Sequence, residues 1–228
     1  MGSQDDPMML RRPPGGAEQQ RPGCGSEEPP TGEGPLSPFP EGLRFDIRPS
    51  GEISRCFRKL GVPDFPSAIR YVHRLPYGRN TDRSDYRLVL TEKKGTCSTK
   101  HALLARLAEE QDRPVHLMVG IYRMDGKNTP GVGVVLKKHR LSCLPEAHCY
   151  LKFRGHRLDA TRVTEAGSDP FDFLLSERRI QPEGIGEPKV KWHQAYLREW
   201  VRTQGMKPEE WKRVWEAREA CIRALEEI

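Results

Sequence analysis

The stretch AHCYLKFRGHRLDAT, residues 147 to 161, constrains the fold of this 228-residue chain more than any other segment. Arg154 and Gly155 read as a two-residue turn joining two extended runs, residues 147–153 and 156–160, in a hairpin. That turn sets Phe153 opposite His156, Tyr150 opposite Asp159 and His148 opposite Thr161. Side chains alternate between the faces of a strand, so Cys149, Leu151, Phe153 and Leu158 fall on one apolar face, suited to a core. A slip of one residue would bury His148 and expose Leu151, so the apolar face fixes the register. The same register places His148, Tyr150 and Asp159 together on the other face. His148 and Asp159 become diagonal neighbours, roughly 7–8 Å apart along the backbone and within reach of an imidazole–carboxylate hydrogen bond.

A second segment, GTCSTKHALLARLAEE at residues 95 to 110, reads as a helix. Thr96 is a suitable N-cap, and Ala102, Leu103, Ala105, Leu107 and Ala108 supply helix formers and apolar positions at helical spacing. Pro114 stops any continuation. Cys97 then sits at or beside the first helical position, where unpaired backbone N–H groups and the helix dipole favour an anion and ease loss of the thiol proton. The same position also suits an inert buried cysteine.

Around these two pieces the spacing predicts short helices over 51–60 and 66–75, with Phe65, Ile69, Val72 and Leu75 on one stripe. PYGRNTDRSD is a loop. VHLMVGIYRM, 115 to 124, reads as a strand, DGKNTPG as a turn, and GVVLKK as a second, shorter strand. After the hairpin, FDFLLSERR, WHQAYLREWV and PEEWKRVWEAREACIRALEEI read as helices, the last with Trp211, Trp215, Ile222 and Leu225 on one face. The order predicts an α+β fold: a nucleophile-bearing helix packed on an antiparallel sheet, with added C-terminal helices from about residue 170.

Residues 1–42 are dense in Pro, Gly, Glu and Gln and lack the apolar content to offset ordering, so they read as a disordered tail ahead of a single domain over 43–228. Seven acidic against three basic residues give this tail a formal charge of −4, so the remainder carries +10 of a total of +6. Such a domain can attract nucleic acid, an anionic membrane or an acidic substrate, but an arginine-rich solvated surface is the plainer reading. No run is long enough to span a bilayer and no secretory leader is evident, which predicts a cytoplasmic protein. The six cysteines have no repeating pairs, so free thiols are expected rather than a disulfide framework.

A Gly95-Thr96-Cys97 opening a helix, the strand VHLMVGIY after it, His148 in AHCYLKF and Asp159 in LDAT together resemble the transglutaminase-like superfamily, which shares the papain-like cysteine-protease architecture. The resemblance spans roughly residues 65 to 165. It implies Cys97 as nucleophile, His148 as its base and Asp159 as the group orienting the imidazole. Tyr150 stands where that family commonly has a tryptophan, and the charged LTEKK replaces an aromatic stretch before the cysteine. The implied activity is cysteine-dependent acyl transfer, with hydrolysis of a peptide or amide bond expected ahead of transglutaminase-type amide exchange. The backbone N–H of Cys97 is the natural first oxyanion donor, and Tyr150 is a candidate wall of the substrate site.

His101 is a rival base, since it lies four residues from Cys97 on the helix. Cys143, His148, Cys149 and His156 suggest zinc, but adjacent strand residues point to opposite faces and no C-x-x-C pair is present, so no metal or cofactor is expected. Lys137-Lys138-His139-Arg140 invites a basic binding module, yet it lacks the interleaved aromatics of a nucleic-acid surface, and nucleic acid is not an expected partner.

Overall fold

The computed structural model describes residues 39–161 and 174–227. Four α-helices precede the first strand: α1 (Glu52–Lys59), α2 (Phe65–Arg74), α3 (Leu88–Glu92) and α4 (Cys97–Glu109). Strand β1 (His116–Asp125), helix α5 (Gly133–Lys138), and strands β2 (Cys143–Phe153), β3 (His156–Leu158) and β4 (Leu174–Arg179) follow. Helices α6 (Glu187–Thr203) and α7 (Trp211–Glu226) come last. The strands form one antiparallel sheet in the order β3-β2-β1-β4, an α+β arrangement.

The hairpin pairs as its apolar face dictates: Leu151 with Leu158, Lys152 with Arg157 and Phe153 with His156. Its turn places both central residues at positive φ, Arg154 at 46° and Gly155 at 85°, so the tight turn matches the twist of the strands. Cys149 and Leu151 are wholly buried, and Leu158 packs against the same cluster.

Helix α4 is the centre of the molecule. Nearly all of its residues are buried, because β1 and β2 cover one side while α1, α2, α3 and the turn at Pro182–Ile185 cover the others. A helix enclosed on all sides cannot be amphipathic, and its alanines and leucines suit that setting. A second cluster lies beyond the sheet, where Tyr122, Met124, Val132, Leu136 and Leu144 meet α6 and α7.

Three expectations are corrected. GVVLKK is helix α5 rather than a strand, because Val132 and Leu136, four apart, are buried while Val134 between them is 67 % exposed. That pattern suits a helix packed on α7 and not an alternating strand. LLSERR is strand β4 rather than helix: it pairs with β1 from Met118↔Arg179 to Tyr122↔Leu174, completing the ladder on that edge. Finally, the face of the hairpin bearing His148 is not open to solvent. Tyr150 is wholly buried there and Tyr122 is only 5 % exposed. At the other end, Phe39 and Leu43 are already buried, so packed structure begins inside the segment read as tail. The tail expectation for 1–38 and the helical expectation for 170–173 lie outside the described residues.

Candidate active site

The loop before α4 is built to hold Cys97 still. Gly95 meets Tyr77 in a parallel bridge, and a Cβ on Gly95 would lie 2.9 Å from Val89 and 3.0 Å from Lys100, so only glycine fits there. Thr99 Oγ1 accepts from the Thr96 N–H at 3.1 Å and donates to Asn80 Oδ1 at 2.8 Å. Asn80 in turn donates to Glu92 at 2.9 Å and to the Lys94 carbonyl at 3.1 Å. Cys97 opens α4, 8 % exposed, on the wall of a cleft of about 780 Å³. Tyr77, Glu146, Lys189, His193 and Trp215 line the same cleft.

The structure brings the three expected residues together. His148 Nε2 lies 2.6 Å from Asp159 Oδ2, which leaves Nδ1 as the other ring nitrogen, and Cys97 is close enough for its charge to act on the ring. Asp159 Oδ1 accepts from the Thr161 N–H at 2.9 Å and from the Thr161 hydroxyl. Burial works against the Asp159 carboxylate, but His148 and these donors hold it well below its usual range. Burial also opposes the His148 imidazolium, yet Asp159 and Cys97 outweigh it and raise the ring to about 10.

Cys97 is lowered well below an ordinary thiol: the neighbouring Cys149 thiol favours the anion most, burial resists, and Lys189 and His148 add positive charge. Burial and the neighbouring Cys97 push Cys149 up, so the anion belongs to Cys97. Ser98 supports that assignment. Its oxygen, 3.9 Å from the Cys97 sulfur, accepts from Lys189 Nζ at 2.7 Å, which leaves the hydroxyl proton to point at the thiolate.

Proton counting gives a test. Lowering of the Cys97 thiol makes stability rise with pH below 9.0, and raising of the His148 ring makes it fall between 6.5 and about 10, so the two slopes oppose each other between 6.5 and 9.0. Alkylation of Cys97 by iodoacetamide should change far less from pH 6 to 9 than the roughly five hundredfold of a free thiol with the ordinary value of 9.0. Peptide mapping of the labelled protein reads this directly.

His101 occupies a different role from the rival base it resembled. Nε2 accepts from the Ala160 N–H at 2.7 Å, so Nδ1 carries the proton and donates to the Cys97 carbonyl at 2.8 Å. Both nitrogens are engaged, burial lowers its pKa, and it lies 3.5 Å from Asp159 as a neutral brace between α4 and the Asp159 loop. Tyr150 is corrected as a substrate wall: it is wholly buried and donates its hydroxyl to Glu177. Cys143, His148, Cys149 and His156 do not gather, and no group of three or more His, Cys, Asp or Glu side chains is placed to hold a metal among the described residues.

Sequence reasoning missed Lys189 and Lys100. Lys100 is wholly buried, donates to the Leu75 carbonyl at 2.6 Å and the Thr161 carbonyl at 2.5 Å, and falls to about 8 through burial. Lys100 lies in the stretch read as the Cys97 helix and Lys189 falls just before WHQAYLREWV, and neither residue type signals burial, so the sequence offered no signal. Among the described residues, no helix is long and apolar enough to cross a membrane. Comparison with family models, curated proteins and solved structures finds no match to this chain.

Proposed function

We propose that this protein is a cysteine-dependent acyl-transfer enzyme of papain/transglutaminase-like architecture that hydrolyses an amide or peptide bond through Cys97, His148 and Asp159. The observation carrying this reading is the 2.6 Å contact of His148 Nε2 with Asp159, made beside a cysteine that opens a buried helix on the wall of a cleft. In this reading the Cys97 thiolate attacks the acyl carbon, and the carbonyl electron pair moves to oxygen. The Cys97 N–H, unpaired within α4 because it opens the helix, stabilises that oxyanion. The tetrahedral intermediate collapses, the C–N bond breaks, and His148 gives its proton to the departing amine. His148 then takes a proton from water as it attacks the thioester, and Asp159 keeps the ring oriented throughout.

The test is capture of the acyl-enzyme. An acyl-electrophile probe should label Cys97 alone, and candidate peptide amides should turn over at a rate lost with that label; labelling elsewhere, or none, would sink the reading. His148→Ala should slow alkylation of Cys97 at pH 7 by about tenfold or more, since the counterion that stabilises the thiolate is gone. His101→Ala should leave that rate within about threefold while lowering stability by about 1–3 kcal/mol, because the Ala160 N–H is orphaned. Equal kinetic effects of the two substitutions would reassign the base.

A further inference from the structure

Lys189 is an anomaly as a structural residue. It lies in the first turn of α6, where a cation opposes the helix dipole, and it is only 7 % exposed. Burying an ammonium is costly unless a partner compensates it. Its hydrogen bond among the described residues goes to the neutral Ser98 hydroxyl at 2.7 Å. The nearby carboxylate, Glu146, is already held by Nε and Nη2 of Arg218, at 2.8 and 2.7 Å. Two of the three ammonium protons thus remain to be satisfied at the wall of the cleft, one hydroxyl away from the Cys97 sulfur.

Charge alternates across the site as Asp159, His148, Cys97 and Lys189. When the thiolate attacks, its charge moves onto the carbonyl oxygen, which needs donors already in place. The Cys97 N–H is one such donor. We propose that Lys189 is the second, a catalytic residue whose ammonium donates to the oxyanion formed from the substrate carbonyl. The inference rests on the acyl-transfer reading and deepens it: the substrate presents a carbonyl whose oxygen is turned toward Lys189 on α6. Lys189 gives up no proton in this step. The S–C bond forms, the carbonyl pair goes to oxygen, and the same ammonium partners thiolate before attack and oxyanion after it. Burial disfavours the Lys189 cation, but the charges of Cys97 and Glu146 oppose it and its pKa lies above the ordinary value, as a donor that stays protonated requires.

Two reagents separate this role from simple support of the thiolate. Iodoacetamide alkylates sulfur without forming an oxyanion, whereas p-nitrophenyl acetate acylates through one. Each rate is divided by the thiolate fraction read from that variant's own pH–alkylation curve. Lys189→Met should then lower acylation of Cys97 about a hundredfold and leave alkylation within about threefold. Ser98→Ala, a small truncation that frees Lys189 from its anchor, should lower acylation about tenfold with alkylation similarly spared, which keeps the test alive if Lys189→Met does not fold. Acylation that stays within threefold, or acylation and alkylation that fall together, would overturn the assignment. Wild-type protein that is alkylated but never acylated would instead overturn the acyl-transfer reading, and this inference with it.

Discussion

On the acyl-transfer reading proposed above, Cys97→Ala should abolish turnover, with a loss of at least about 10⁴-fold, because no other group at the site can form the acyl intermediate. The neighbouring thiol is no substitute: Cys149 is wholly buried, and burial and the Cys97 charge hold its proton on. The substitution also removes a negative charge that His148 and Lys189 both face. His148 should therefore titrate below the value of about 10 it has beside the thiolate, while Asp159 still holds it above an ordinary imidazole if the cysteine carries the charge proposed for it. Turnover assays and imidazole NMR titration of the same sample measure both effects. Residual turnover above about one part in a thousand of wild type, or a His148 titration unchanged by the substitution, would contradict the thiolate–imidazolium pair.

Arg218→Met should be the most destabilising single change outside the triad. Arg218 and Glu146 are 12 % and 6 % exposed, and their paired hydrogen bonds tie α7 to β2. Removing the guanidinium strands a buried carboxylate, at a cost of about 3–5 kcal/mol. For a domain of this size that corresponds to a fall in Tm of about 10 °C. Glu146→Gln added to Arg218→Met should restore part of the loss, since the stranded charge is then gone. Thermal unfolding of the single and double variants decides this: a double variant less stable than Arg218→Met alone would mean that the loss comes from the packing of Arg218 on the Trp215 ring, 5.2 Å away, rather than from charge.

What could be read from the sequence followed how local the deciding force was. The hairpin register was legible because one slip would have turned four apolar residues to water, and α4 was legible because Thr96, its alanines and leucines, and Pro114 agree. Two segments misled for one shared reason. LLSERR is rich in good helix formers and GVVLKK has adjacent valines, but pairing with β1 and packing on α7 override those preferences. The meeting of His148 and Asp159 was legible from strand alternation alone. The burial of Tyr150 was not, because Glu177, which receives its hydroxyl, lies on the strand that had been read as helix. Lys189 was illegible for a similar reason: its partner, Ser98, is 91 residues away in sequence.

That spread along the chain has a consequence for how the molecule matures. Cys97, His148, Asp159 and Lys189 sit on a helix, a strand, a loop and a second helix, and none is potentiated by its immediate neighbours in sequence alone. A nascent or partly opened chain therefore carries an ordinary thiol, sluggish toward electrophiles and safe from premature chemistry. On the proposed reading, quick reactivity comes only once the distant segments have docked, so a fast-labelling sulfur would certify that tertiary assembly is complete.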